Sequence, residues 1–267
     1  MHKQISSTSN SLIKELVQLK DKSRLRKKTN SFLIEGAREI SLAVLGNYEI
    51  KTLLVDFSIF NKIAFNNLVE TIKTNIDIIE ISNDVYQKIA MRTTTEGIVA
   101  VAKSKDLSLS NIKFKNSNPL ILVAEAPEKP GNIGALLRTV DAAGIDAVFI
   151  ANPKTDMYNP NIIRSSVGCL FTTNIATGST SEIIKFLKDK NIEMYGAALT
   201  ASVEYQTINF TNPSAIIVGT EATGLTDEWL NNTTQNIIIP MRGAIDSMNV
   251  SVSAAIILFE AVRQRLA

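Results

Sequence analysis

Apolar positions recur along the chain with two alternating periods. Leu12, Ile13, Leu16, Val17 and Leu19 fall on one face at helical spacing behind Ser9 and Asn10, two cap-forming residues, so 9–22 is expected to be a helix. Lys20–Lys28 breaks that pattern with charge and reads as a basic loop. Phe32–Glu35 then reads as a short strand, Gly36 as a turn and Ala37–Leu45 as a helix. The alternation continues with a strand at Ile50–Val55, a helix over 60–73, a strand at Ile76–Ile81, a helix over 83–91 and a strand at Gly97–Val101. Strands and helices in turn describe a small α/β domain, residues 1–103. Residues 104–118 are polar and rich in Ser and Asn, the composition of a linker. A second α/β domain, 119–267, follows. Its strands are expected at Leu120–Ala124, Ala147–Ile150, Ile192–Ala197, Ala215–Val218 and Ile237–Ile239. A helix is expected between the first two, others at Ile183–Lys188 and over 249–265.

Composition removes much of the usual catalytic chemistry. Among 267 residues there is one histidine, His2, and one cysteine, Cys169. A Ser-His-Asp or Cys-His pair would have to draw on the extreme N-terminus. No zinc cluster, disulfide or CxxC redox pair can be assembled, and no metal is expected. Any enzyme here relies on a cofactor for its reactive group, or on Asp, Glu, Lys, Arg, Ser and Asn. The chain lacks the run of ~18 apolar residues that a membrane span needs. Its first residues lack the apolar stretch of a signal peptide. A single cysteine fits a reducing compartment, so a cytoplasmic location is expected.

The formal charge of +2 conceals an asymmetry. Residues 1–30 carry eight Lys or Arg against Glu15 and Asp21, and residues 1–103 hold a net +4 against −2 for the remainder. A basic segment on a near-neutral body is the pattern of a polyanion-binding face. Lys22, Arg24, Arg26, Lys27 and Lys28 are its densest part. A solvated helix end with a charged turn is the plainer alternative.

Candidate chemistry lies in three turns marked by Gly, Asn and Pro. The first, Pro130-Gly131-Asn132-Ile133-Gly134-Ala135-Leu136-Leu137-Arg138-Thr139, leaves a strand and opens a helix that Asn132 could cap. It is not GxGxxG, which weakens a dinucleotide-binding reading. The second, Val218-Gly219-Thr220-Glu221-Ala222-Thr223-Gly224-Leu225, places one carboxylate between two glycines at a strand end, where open α/β sheets bind ligands. The third runs from Ile239 through Ser247, Met248 and Asn249 into a helix that begins with small residues, with Ser247 or Asn249 as its cap.

Together the motifs N-x-G-A-x-x-R-T, G-x-E-x-x-G-L and I-P-M-x-G-x-x-x-S-M-N-V-S resemble those of the SpoU/TrmH family, S-adenosylmethionine-dependent RNA ribose 2′-O-methyltransferases of the SPOUT superfamily. The resemblance covers 119–267. Phe32-Leu33-Ile34-Glu35-Gly36 and Thr95-Glu96-Gly97-Ile98-Val99-Ala100-Val101 extend it to a substrate-binding domain of L30e/L7Ae type. It implies a parallel α/β sheet with a C-terminal deep trefoil knot, a homodimer formed through the SPOUT domain, and RNA as substrate. It also implies S-adenosylmethionine bound by backbone at Gly219, Ile239 and Met248, the last standing where leucine is usual, with a further contact at Leu199 from the loop Ala198–Thr200. Arg138 takes the central catalytic role by the same resemblance, with Asn132, Glu221, Ser247 and Asn249 around it, and Arg164 and Ser165 face the RNA. Ribosomal RNA of the 23S type is the first expectation. A transfer-RNA enzyme and a non-catalytic RNA-binding or ribosome-assembly protein are the alternatives.

Overall fold

The computed structural model describes residues 3–92, 96–200, 202–220 and 222–266. His2, Thr95 and Glu221 lie outside the described residues. The chain forms two compact units, one built from 1–105 and 156–172, the other from 106–155 and 173–267.

The first unit runs β1 (Lys3–Ile5), α1 (Ser11–Asp21), α2 (Ser23–Thr29), β2 (Ser31–Glu35), α3 (Ala37–Leu45), β3 (Ile50–Val55), α4 (Lys62–Thr71), β4 (Asp77–Ile81), α5 (Asn83–Ile89) and β5 (Ile98–Lys103). Its five strands lie in the order β1-β4-β3-β5-β2. β1, β4 and β3 are parallel, and β5 runs antiparallel to both of its neighbours. The Asn10 side chain caps α1, accepting from the Leu12 amide at 2.9 Å. The apolar face of α1 buries Ile13, Leu16 and Leu19 in a core with Val85, Tyr86 and Ile89 of α5 and Leu33, Leu54 and Val99 of the sheet.

The stretch expected as a basic loop is the helix α2, because its cations sit at helical spacing and leave one side for packing. Arg24, Lys27 and Lys28 are exposed on it and Lys22 just before it. Arg26 corrects the expected RNA-binding set. It is 5% exposed. Its Nε and Nη2 donate to Asp156 Oδ1 and Oδ2 at 3.1 and 2.6 Å, and its Nη1 donates to the carbonyls of Leu19 and Lys20 at 2.8 and 2.7 Å. A guanidinium so occupied closes the end of α1 and is spent on the fold.

Residues 156–172, which the sequence pattern keeps with the second domain, pack in the first unit. The reason is aromatic. Tyr158 stacks on Phe32 at 4.4 Å between ring centroids, and Phe171 meets Tyr48 edge-on at 5.1 Å. Tyr158 lies just before the short helix Pro160–Ser165, and Phe171 lies in a second, Cys169–Thr172. Arg164 is exposed there, while the Ser165 hydroxyl donates back to the Asn161 carbonyl at 2.6 Å.

The second unit is a seven-stranded, all-parallel sheet. Along the chain come β6 (Leu120–Glu125), α6 (Pro130–Ala143) and β7 (Ala147–Ala151); the two short helices just described are α7 and α8. Then follow β8 (Ile175–Gly178), α9 (Thr180–Asp189), β9 (Glu193–Ala197), β10 (Ser202–Glu204), β11 (Ser214–Val218), α10 (Asp227–Leu230), β12 (Gln235–Ile238) and α11 (Val250–Leu266). The strand order is β10-β12-β9-β11-β6-β7-β8. β6, β7 and β11 are buried throughout, as central strands covered on both faces must be, and their sequences are near-continuous apolar runs. The segment expected as a linker is tied down instead. Leu107 accepts from the Thr177 amide at 2.7 Å, and Leu109, Ile112 and Phe114 pack on the core of this unit. α9 opens with a capping box in which Ser179 and Glu182 satisfy each other's backbone amides.

Candidate active site

Strand register brings four chain ends level. Val218 pairs with Ala124 on one side and Ala197 on the other, and Ala197 pairs with Ile237. The carboxyl ends of β6, β11, β9 and β12 therefore open onto one rim, the place where parallel sheets bind ligands. Two cavities lie there.

The larger, about 750 Å³, is lined from β9, β11, β12 and the loops after them. Leu199, Gly219, Ile239 and Met248, the four residues expected to touch a cofactor, all line it, as do Ser247 and Asn249. Its base is apolar, with Leu230, Ile237 and Ile257, and Asp246 adds a carboxylate at the rim. Sequence reading missed Asp246, whose only signal was its place inside the third motif. Gly219 is a steric necessity. A Cβ there would stand 2.2 Å from the Gly224 carbonyl carbon and 2.5 Å from the Leu225 amide nitrogen. That closeness comes from a tight loop in which the Thr220 and Gly224 amides donate to each other's carbonyls at 3.0 and 3.1 Å, with Gly224 in the left-handed region at φ +68°. A cavity of this size, apolar at its base with backbone polar groups at its rim, fits a nucleoside-type cofactor.

The smaller cavity, about 630 Å³, shares the 219–224 loop as a wall. Its opposite side is the segment leaving β6, Ala126–Lys129, followed by Asn132 and Leu136 of α6. Asn132 does not cap α6. Lys129 is the cap residue and Pro130 occupies the first turn, so Asn132 sits inside the helix. There its Oδ1 accepts from Asn249 Nδ2 at 3.3 Å, joining the first and third motifs. Asn249 also caps α11, its Oδ1 accepting from the Ser251 amide at 3.0 Å and the Ser251 hydroxyl at 2.6 Å.

Arg138 lies six residues past Asn132 on α6, which turns it roughly 120° around the helix from the asparagine. It is exposed, lines neither cavity, and has no hydrogen bond or ion pair among the described residues. The structure thus gathers Asn132, Ser247 and Asn249 with the four cofactor candidates and leaves Arg138 apart from them. Lys22, Arg24, Lys27, Lys28, Arg164 and Ser165 belong to the first unit. Among the described residues, no group of three or more His, Cys, Asp or Glu could hold a metal ion. No helix of those residues is long and apolar enough to cross a membrane.

Residues 119–259 match the sequence model of the SpoU rRNA Methylase family, and residues 10–100 match that of the MRM3-like substrate binding domain. A 23S rRNA (guanosine(2553)-2′-O)-methyltransferase of Bacillus subtilis is 30% identical over 257 residues, covering 96% of this chain and 98% of the relative. A crystal structure of an RNA 2′-O ribose methyltransferase superposes with a TM-score of 0.85 at 38% identity, over 99% of this chain and all of the other. The SpoU methyltransferase AviRb from Streptomyces viridochromogenes, solved in complex with the cofactor AdoMet, gives a TM-score of 0.88 at 27% identity, over 97% and 99% of the two chains.

Proposed function

The chain belongs to the SpoU rRNA methylase family, and from that premise we propose that it transfers a methyl group from S-adenosylmethionine to a ribose 2′-hydroxyl of RNA, with 23S ribosomal RNA as its substrate. One observation carries the reading most directly. Leu199, Gly219, Ile239 and Met248 come from three separate loops, and folding sets all four around one cavity at the carboxyl end of a parallel sheet.

S-adenosylmethionine, when bound, supplies an electrophilic methyl on a sulfonium, so the chain needs no nucleophile or imidazole of its own. Its residues have three tasks. The backbone at Gly219, Ile239 and Met248 would hold the cofactor in a cavity that Leu230, Ile237 and Ile257 also line. Asn132, fixed by Asn249, lines the adjoining cavity and orients the ribose. Arg138 approaches the RNA backbone as an orienting and charge-stabilising cation. A guanidinium holds its protons far above neutral pH, so the hydroxyl proton leaves toward an RNA phosphate and not onto Arg138. Glu221 braces the second motif in this reading, and Ser247 lines the cofactor cavity. The requirement for a 2′-hydroxyl selects RNA over DNA.

In this proposal residues 1–103 bind the substrate, 119–267 form the catalytic domain with a knotted C-terminal segment, and the working form is a cytoplasmic homodimer. The dimer is supported by α11, whose Val252, Phe259 and Leu266 recur every seven residues and are exposed. In this proposal the active site, Arg138 included, lies near the dimer interface.

Transfer of labelled methyl from S-adenosylmethionine to 23S ribosomal RNA, followed by mapping of the modified ribose, tests the reading. Label is expected on a single 2′-oxygen. A folded protein that binds the cofactor yet labels no RNA overturns it. Arg138→Ala should lower transfer at least about 100-fold with cofactor affinity within threefold, the signature of a group that acts mainly in the transition state.

A further inference from the structure

Glu125 ends β6 with its side chain 3% exposed and both oxygens in use. Oε2 accepts from Trp229 Nε1 at 2.6 Å and from the Thr180 hydroxyl at 2.9 Å. Oε1 accepts from Asn152 Nδ2 at 3.1 Å, and the same Nδ2 donates to Thr180 Oγ1 at 2.8 Å. One carboxylate thus joins the ends of β6 and β7, the first turn of α9, and α10. A hydrophobic residue of similar size would fill this space without needing three donors, so the network serves more than packing.

Its two directions of reach matter. Trp229 is fully buried in α10, directly after the 219–224 loop, and Leu225 at the foot of that loop packs in the same core cluster. That loop is the wall common to the two cavities. On its other side Glu125 leads straight into Ala126, held at φ +39°, and then into Pro127–Lys129, the opposite wall of the smaller cavity and the lead into Asn132. The 2.6 Å bond between Glu125 and Trp229 therefore ties the segment leaving β6 to the helix that follows the 219–224 loop. A charge-assisted bond of that length resists stretching, so it fixes the distance between the loop at the cofactor and the helix that carries Asn132 and Arg138.

We propose that Glu125, acting through Trp229, is a positioning residue that sets the separation of the cofactor and acceptor walls; this rests on the methyltransferase reading above. Trp229 lines neither cavity, and Glu125 lines the smaller one with both carboxylate oxygens held by Trp229, Thr180 and Asn152. Their effect is on geometry, where a misplacement of about 1 Å costs on the order of 100-fold in rate.

The test compares the full-length wild type with Glu125→Gln, Trp229→Phe and the double variant. Steady-state methyl transfer gives kcat and the RNA KM, equilibrium dialysis gives cofactor affinity and stoichiometry, and thermal melting gives fold. Each single variant is expected to lower kcat at least tenfold, with the RNA KM within threefold and one cofactor site per chain retained. The double variant should be no more than twofold below the worse single one, because both act through the same bond. Loss of structure alone would lower cofactor stoichiometry and leave kcat per occupied site unchanged, and that result overturns the proposal. Multiplying losses in the double variant overturn it too. If Trp229→Phe does not fold, Thr180→Val takes its place, with the same non-additivity expected against Glu125→Gln. A wild type that binds no S-adenosylmethionine overturns the methyltransferase reading and this proposal with it. An active wild type beside unimpaired variants overturns this proposal alone.

Discussion

Arg24 and Arg26 stand two residues apart, and folding gives them opposite tasks. The sequence shows two equal positive charges. It cannot show that Asp156, 130 residues away from Arg26, withdraws one of them into a bidentate pair. The same limit applied at Asn132, whose letters suit a helix cap until Pro130 is seen to start the helix two residues earlier. Residues whose role depends on a strand end were legible, because a glycine-marked turn after an apolar run fixes its own position. That is why four residues that line the larger cavity could be singled out together and Asp246 was not. Glu35 gives a residue-scale prediction. It accepts from the Tyr86 hydroxyl at 3.0 Å and from the Met91 and Arg92 amides at 2.8 and 3.2 Å. Burial nevertheless outweighs these bonds and raises its carboxyl above the ordinary 4.5. The folded protein therefore holds this proton more tightly than the unfolded chain. The stability linked to it is full below the unfolded value and is lost as pH rises through the raised folded value. Urea unfolding of wild type and Glu35→Gln from pH 4 to 7 checks this. The wild-type stability minus that of the variant should fall as pH rises above about 4.5. A difference that rises or stays flat contradicts the assignment.

At the scale of elements, length decided what could be read. The central strands and amphipathic helices were legible because five or more residues are enough to display a period. β1 and β10, three residues each, are too short to show alternation, and both owe their place to a parallel neighbour. Segment 156–172 packs in the first unit, which the pattern did not show for a different reason. A pattern shows that a face is apolar but not which face it meets, and the rings of Phe32, Tyr48, Tyr158 and Phe171 find one another only in space. α11 carries two such faces. Ala254, Ile257, Leu258 and Ala261 are buried, and the helix packs on α6 and β11. Val252, Phe259 and Leu266 remain outside, Leu266 at 84% exposed. In the proposed homodimer this exposed apolar stripe meets its own copy across a two-fold axis. Sedimentation equilibrium is expected to give a dimer for the wild type. Phe259→Asp should weaken dimerisation at least about 30-fold, the loss of one central aromatic anchor of about 2 kcal/mol. Ile63→Asp, 72% exposed on α4, should leave it unchanged. A Phe259→Asp protein as dimeric as wild type places the interface elsewhere.

Across the whole molecule, the formal +2 hides a division of labour. The first unit carries the exposed cations Lys22, Arg24, Lys27 and Lys28, and the second carries the cavities. The uneven charge was visible in the sequence. Its effective size was not, since Arg26 counts toward the sum and contributes nothing to solvent. Electrostatic binding to RNA releases roughly 0.7 to 0.9 counterions per neutralised phosphate, so each exposed cation that meets a phosphate leaves a countable mark on the salt dependence. Replacing Lys22, Arg24, Lys27 and Lys28 together by Gln is expected to reduce the slope of log Kd against log salt by about 3. Cofactor affinity should stay within twofold, because these residues line neither cavity. Arg26→Gln should act in the other currency. It leaves the Asp156 carboxylate without its partner in a buried setting, where a lost partner costs about 3 kcal/mol or more, so it lowers the melting temperature while the folded fraction keeps the wild-type slope. Filter binding of RNA from low to moderate salt separates the two effects. A quadruple variant with the wild-type slope means the RNA runs over another surface. A reduced slope with normal cofactor binding means the basic unit grips the substrate independently of the chemistry in the sheet.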